Sequence, residues 1–128
     1  MEDWKIKIAV LWSLLEFCMI AISMVENYLI FSGEMIAEDT IPELMLVLVI
    51  VFLIPPIMAF LSLTLKDSIN RWLNIIAGAV FAVLVLADPI MYLTEQSAYS
   101  AYVTLIGIVE FVAAVSIVWF AWKSKQKT

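Results

Sequence analysis

The chain has 128 residues, of which 65% are hydrophobic, and its mean hydropathy is +1.06. A soluble domain of this length is nearer half apolar, so the composition predicts a single-domain integral membrane protein with the lipid bilayer as its solvent. The net charge of −5 and the lack of a basic face argue against nucleic acid as a partner. Histidine is absent and Cys18 is the only cysteine, which excludes His-ligated haem, the common His metal sites and a CxxC redox pair.

The first predicted helix covers residues 6–31 and is long enough to span a bilayer with some tilt. Its apolar run exceeds the h-region of a signal peptide, and no small-x-small cleavage site follows it. Glu16 lies near the centre of this helix, and Glu26 and Asn27 lie near its far end. Since a carboxyl group at the middle of a bilayer is costly, Glu16 is a candidate functional residue.

The second predicted helix covers residues 41–65 and follows a polar, acidic loop. Pro42 suits its first turn. Pro55 and Pro56 fall at mid-depth, where they remove backbone donors and should kink or open the helix. Carbonyl groups freed in this way need partners from neighbouring helices or water.

The third predicted helix covers residues 70–93, with Asn74 near its start and Asp88 near its end. The fourth covers residues 98–122 and carries Glu110 in the middle of the run YVTLIGIVEFVAAVSIVWF. The sequence therefore predicts an all-α, four-helix transmembrane bundle.

Charge predicts the orientation of these helices. All seven basic residues fall on one side of the four-span arrangement: Lys5, Lys7, Lys66, Arg71, Lys123, Lys125 and Lys127. The loops on the other side carry only acidic charge, at Glu34, Glu38, Asp39 and Glu95. The positive-inside rule then places both termini in the cytoplasm, with the protein in the cell membrane.

Glu16 and Glu110 fall at similar depth on antiparallel helices. At 1.5 Å per residue they lie about 15 Å and about 18 Å from the cytoplasmic edge of a core about 30 Å thick. If the first and fourth helices touch, the two carboxyl groups can meet. Both cannot remain ionised close together in lipid, so at least one should carry a proton at neutral pH.

Helical spacing points polar side chains towards a narrow interior. Ser13, Ser23, Glu26 and Asn27 share a side of the first helix with Glu16. On the fourth helix, Glu110 shares a face with two small residues, so a neighbouring backbone can approach there. On the third helix, Asn74 and Gly78 together give a small-residue packing surface. Glu26, Asn27 and Asp88 are candidates for an outer vestibule, or are simply solvated carboxylates and an amide at the interface.

Two interpretations of Glu16 and Glu110 stay open. In the first, they form a proton or cation site, with Ser13, Ser23 and Asn74 as further ligands. In the second, each carboxyl group is neutral and hydrogen-bonds within the bundle as a packing group. Catalysis has little support, because the sequence has no Ser/His pair, no Gly-rich phosphate loop and no metal cluster. No cofactor or metal is expected, and the protein is not expected to be an enzyme.

Residues 61–78, LSLTLKDSINRWLNIIAG, and residues 119–123, WFAWK, resemble a family of small four-span prokaryotic membrane proteins classed as a domain of unknown function. The NRWxN element, from Asn70 to Asn74, is the most specific part, and the resemblance covers most of the chain. It implies the four-helix fold and a prokaryotic cell membrane, and it implies no activity.

Small multidrug-resistance transporters are similar in length, in their four spans and in having a membrane-embedded glutamate in the first span, which here would be Glu16. The sequence around Glu16 differs from theirs, and Glu110 has no counterpart in their pattern. The strong charge bias also does not suit a dual-topology dimer, so this similarity is an analogy only.

These observations predict a small proton- or cation-coupled transporter or binding protein. Because one four-helix bundle leaves little room for a pore, a homo-oligomer is expected. The alternative is a non-catalytic membrane scaffold or accessory subunit.

Overall fold

The computed structural model describes residues 3–33, 42–86 and 100–124. Within these ranges the chain forms four helices and no strand: α1 (Asp3–Phe31), α2 (Pro42–Thr64), α3 (Asp67–Leu84) and α4 (Ser100–Lys123). The fold is therefore an all-α, four-helix bundle. Residues 34–41, between α1 and α2, lie outside the described residues, as does the predicted end of the third helix with Asp88.

The helix ends follow from local chemistry. α1 ends where Gly33 adopts a φ of +81°, a left-handed conformation that glycine adopts without strain. The Ser32 N–H donates to the Tyr28 carbonyl at 2.9 Å and closes the last turn. α2 begins at Pro42, a position whose missing N–H costs nothing in a first turn. It then continues as one helix through Pro55, which is fully buried, and Pro56, which is exposed.

α4 packs against both α1 and α3, and α2 packs against α1. α2 and α3 make few contacts with each other, so the bundle is less closely packed between them. α3 and α4 lie close together at Gly78, where an added Cβ would lie 2.8 Å from Val118 Cγ2 and 3.3 Å from the Ala114 carbonyl oxygen. A small residue is therefore required at position 78 for the two helices to pack at this distance.

Every basic side chain in the described residues lies at one end of the bundle, which we call the basic end. Lys5 forms a 2.6 Å ion pair with Asp67 at the start of α3. Lys7 Nζ lies 5.4 Å from the centroid of the Phe120 ring near the end of α4. The start of α1, the α2–α3 turn and the end of α4 thus meet there, which agrees with the charge segregation in the sequence.

Among the described residues, three helices are long and apolar enough to cross a membrane: Asp3–Tyr28, Met45–Thr64 and Ala101–Lys123, with mean hydropathies of 2.2, 2.8 and 2.3 in their most apolar windows. Their outer surfaces expose large apolar side chains, as lipid-facing helices do. The protein is accordingly a membrane protein. α3 is amphipathic over its 18 described residues, with Asn70, Asn74, Gly78 and Phe81 buried along one stripe. A span by the third helix stays a prediction, because residues 87–99 lie outside the described ranges.

Candidate functional site

A cavity of about 230 Å³ lies in the half of the bundle away from the basic end. All four helices contribute to its wall. The polar groups come from Ser23 and Glu26 of α1 and from Glu110 of α4, and the apolar wall comes from Met19, Ile22, Leu48, Val51, Phe52, Phe81, Leu84 and Val85. One water needs about 10–15 Å³ of such space. The cavity can therefore hold several waters or a small organic cation.

Glu110 is the most deeply buried carboxylate that lines this cavity, with 3% of its surface exposed. It also lies close enough to Cys18 of α1 for the two groups to interact electrostatically. Counting ten residues along each antiparallel helix from the Lys7–Phe120 contact leads to Phe17 and Glu110. Glu110 therefore lies at the same level of the bundle as the turn of α1 that carries Glu16 and Cys18.

Glu16 is half-buried, and it is not one of the described residues that line the cavity. Its Oε2 atom is shielded from solvent and has no hydrogen-bond partner. Met19, which does line the cavity, is three residues further along α1, or about 4.5 Å along the helix axis. Glu16 is thus positioned just beyond the cavity, on the side of the basic end.

Three other predicted residues have different positions. Ser23 and Glu26 line the cavity together with Glu110, whereas Asn27 is exposed at a shallow surface groove beside Met24. Ser13 is exposed and donates its hydroxyl to the Ala9 carbonyl of its own helix at 3.1 Å. The structure therefore brings Ser23, Glu26 and Glu110 together and leaves Ser13 and Asn27 apart from them.

Asn74 is the centre of a buried polar network formed with Trp12, Ser62 and Asn70. Its Oδ1 accepts the indole N–H of Trp12 at 2.7 Å, and the Ser62 hydroxyl lies 3.1 Å from the same oxygen. Its amide N–H groups donate to the carbonyl oxygen and the Oδ1 of Asn70, at 2.8 and 2.6 Å. The Asn70 amide in turn donates to the Ser62 carbonyl at 2.7 Å. The network joins α1, α2 and α3, and it occupies both the donor and acceptor capacity of Asn74.

Trp12 connects the polar network to the cavity. Its ring lies edge-on to the Phe81 ring, with centroids 5.4 Å apart and planes at 90°. Phe81 lines the cavity, while Trp12 is fully buried. The two rings therefore separate the cavity from the closely packed basic end. Trp12 and Ser62 were not predicted from the sequence. The signal available for Trp12 is that an indole N–H within an apolar helix needs an acceptor, and Asn74 is one of the few polar side chains in the neighbouring helices.

The part of the chain that the structure describes contains no set of side chains that could bind a metal ion. No three side chains from His, Cys, Asp and Glu come together there in a way that could hold an ion. A metal site built on Glu16 and Glu110 would also be short of ligands, since Mg²⁺ and Ca²⁺ take at least six oxygens. The cavity is better suited to a proton or to an organic cation, which a carboxylate can bind without a full coordination shell.

No protein-family model, curated protein or solved structure matches this chain. The resemblance of residues 61–78 to a family of small four-span membrane proteins therefore stays a prediction. The function has to be argued from the cavity and its carboxyl groups.

Proposed function

We propose that the protein binds a proton or a small cation in the cavity and carries it across the membrane, with Glu110 as the central group. The observation that supports this most is the position of Glu110, which is buried near mid-membrane and yet lines a cavity that also contains Glu26 and Ser23. An intramembrane carboxyl group is expensive, and a bound proton or cation offsets that expense. The apolar remainder of the wall strengthens the attraction by lowering the local dielectric constant.

The three carboxyl groups suggest an order of events. Of the three carboxyl groups, Glu26 lies furthest from the basic end, since it is seven residues beyond Met19 on α1. It therefore receives the ion first. Glu110 holds the ion at the inner end of the cavity. When the Trp12–Phe81 contact opens, a proton on Glu110 passes to Glu16, which lies at the same level on α1, and from there towards the basic end. Transport therefore requires rearrangement of that aromatic pair.

The orientation forms part of the proposal. We place the protein in a prokaryotic cytoplasmic membrane with four spans, with the basic end and both termini in the cytoplasm. The cavity then faces the outer half of the bilayer. We expect a homo-oligomer, because one four-helix bundle leaves little room for the pathway that the ion must follow.

Proteoliposomes provide the test. Protein reconstituted with an internal pH-sensitive dye is exposed to a potassium diffusion potential, and proton uptake is measured with and without tetramethylammonium outside. Wild-type vesicles should acidify faster than empty ones, and Glu110→Gln should reduce that rate to the empty-vesicle value. Glu43→Gln, which removes an exposed carboxyl group outside the cavity, is the matched control and should keep the wild-type rate. Equal rates for wild type and Glu110→Gln would reject the proposal.

A scaffold or accessory subunit is the second candidate. The satisfied hydrogen bonds of Asn74 favour it, because they show a predicted ligand group used for helix packing. This candidate predicts a stable partner in mild-detergent purification from native membranes and no effect of Glu110→Gln on that association. A monodisperse assembly of this chain alone would count against it.

A further inference from the structure

Arg71 is the only arginine in the chain, and it is 92% shielded at the basic end of the bundle, with 8% of its surface exposed. Its guanidinium carbon lies 4.8 Å from the centroid of the Trp72 ring and 5.2 Å from that of Trp122. One aromatic ring comes from α3 and the other from the end of α4. The two rings attract the charge through their π faces, but they accept no conventional hydrogen bonds.

The Nε and Nη2 atoms of Arg71 are both buried and have no hydrogen-bond partner. These two nitrogens lie on the same edge of the guanidinium group, where their N–H bonds run nearly parallel. Asp67, one helical turn earlier, would be the usual counter-ion for Arg71. It pairs instead with Lys5 of α1 at 2.6 Å. The described residues thus place no carboxylate within ion-pair distance of the guanidinium.

An arginine edge of this kind requires an acceptor. A buried cation without a hydrogen-bonding anion is strongly unfavourable, and two aromatic rings offset only part of that energy. Two parallel N–H groups match two oxygens of one phosphate or carboxylate, and such bidentate pairs are among the strongest hydrogen bonds that proteins form. At the basic end of a membrane protein, the abundant anion with this geometry is phosphate.

We propose that Arg71, held between Trp72 and Trp122, is a binding site for a single phosphate group. The phosphate oxygens accept from Nε and Nη2. Because both indoles are about half exposed, at 50% and 53%, either can move aside to admit the phosphate and then close over it. The phosphate belongs either to the headgroup of an anionic lipid or to a free soluble anion.

Ligand titrations with purified protein in a neutral detergent test the site. The ligands are phosphatidylglycerol, diacylglycerol with the same acyl chains, and inorganic phosphate, and the readouts are tryptophan fluorescence and the unfolding temperature. Phosphatidylglycerol should raise the unfolding temperature and diacylglycerol should not. Arg71→Lys keeps the charge but lacks the bidentate edge, so it should bind phosphatidylglycerol about tenfold more weakly. Lys123→Gln is the matched control and should stay within about twofold of wild type.

A second measurement on the wild-type protein does not depend on a variant folding. An arginine-selective dicarbonyl reagent can label only Arg71, and mass spectrometry gives the rate. Phosphatidylglycerol should slow the labelling about tenfold, while diacylglycerol leaves it unchanged. If inorganic phosphate alone protects Arg71, the site takes the soluble anion, and if only the lipid protects it, the site takes the headgroup. Equal labelling with and without both phosphate ligands, or equal affinity of Arg71→Lys and wild type, would overturn the site.

Discussion

The two halves of the bundle are built differently. Next to the basic end, Ile8, Trp12, Leu15, Asn74 and Ile117 are fully buried, and the polar network joins three helices through short hydrogen bonds. In the other half, the four helices line a partly open cavity of about 230 Å³ that contains Glu110 and Glu26. Polar residues are present in both halves: Trp12, Asn70 and Asn74 hydrogen-bond to one another in the first, whereas Glu26 and Glu110 line the cavity in the second.

This difference separates polar residues that hold helices together from polar residues that are available to a ligand. A hydrogen-bonded network fixes the positions of α1, α2 and α3 and makes one half rigid. That rigid half can then support a less closely packed half in which carboxyl groups face open space. Stability should therefore be concentrated near the basic end, and ligand binding in the cavity.

The largest effect is expected from Asn74→Ala. This change leaves the Trp12 indole N–H and the Asn70 side-chain oxygen without partners inside the bundle, and should lower the free energy of unfolding by about 2–4 kcal/mol. Asn27→Ala, at an exposed asparagine of α1, is the matched control and should change it by less than about 0.5 kcal/mol. Unfolding by SDS in mixed micelles measures both. Similar values for the two variants would show that the network contributes little to stability.

Gly78→Ala should have the next largest effect. The new methyl group would lie 2.8 Å from Val118 Cγ2 and 3.3 Å from a backbone oxygen of α4, and the backbone cannot give way easily. Overpacking of this kind lowers the unfolding free energy by about 1–3 kcal/mol. Ala79→Leu enlarges the exposed neighbouring position and should be nearly neutral. Equal stabilities of Gly78→Ala and wild type would mean that α3 and α4 are not held at this distance.

Ser23→Leu tests the cavity half by filling it. A leucine there projects into open space, so the unfolding free energy should rise by about 1 kcal/mol or stay unchanged, unlike the enlargement at position 78. The same variant should lose the proton uptake assigned to the cavity. A destabilisation as large as that of Gly78→Ala would indicate that the cavity is closed in solution.

The smallest effect is expected from Asp67→Asn. The Lys5–Asp67 ion pair joins α1 to α3 at 2.6 Å, but the Asp67 side chain is 45% exposed. Such a pair contributes about 0–1 kcal/mol, and salt screens it. Thermal unfolding at low and high salt should show a small difference between variant and wild type that shrinks as salt is added. A difference that persists in high salt would mean that Asp67 acts through something other than this charge pair.

The sequence was sufficient to predict the helical bundle, because long apolar runs interrupted by charged loops leave few alternatives in lipid. It also predicted that the basic residues lie at one end of the bundle. The positions of the described lysines and of Arg71 agree with that prediction. It predicted Gly78 as a helix-packing position. The structure gives the physical reason, because a Cβ at this position would lie 2.8 Å from Val118 Cγ2 of α4.

The site could be predicted only in part. Composition and depth identified Glu16 and Glu110 as a pair and Glu26 as a vestibule candidate. They could not show which of these carboxyl groups line the cavity, since that depends on how four apolar surfaces fit together. Asn74 was predicted as a ligand-binding residue because polar residues are rare in membrane-spanning helices. In the structure its side chain instead hydrogen-bonds to Trp12 and Asn70. Sequence spacing gives the face of a helix, whereas the partner on that face depends on tertiary packing.

The central claim is that Glu110 is a titratable, ligand-accessible group within the membrane, and infrared difference spectroscopy of the reconstituted protein tests it most directly. The carboxylic C=O band should change with pH, shift towards the ionised form when tetramethylammonium is added, and disappear in Glu110→Gln while remaining in Glu43→Gln. A spectrum in which the same band responds to neither pH nor the cation, or survives in Glu110→Gln, would contradict the account and leave Glu110 as a packing residue.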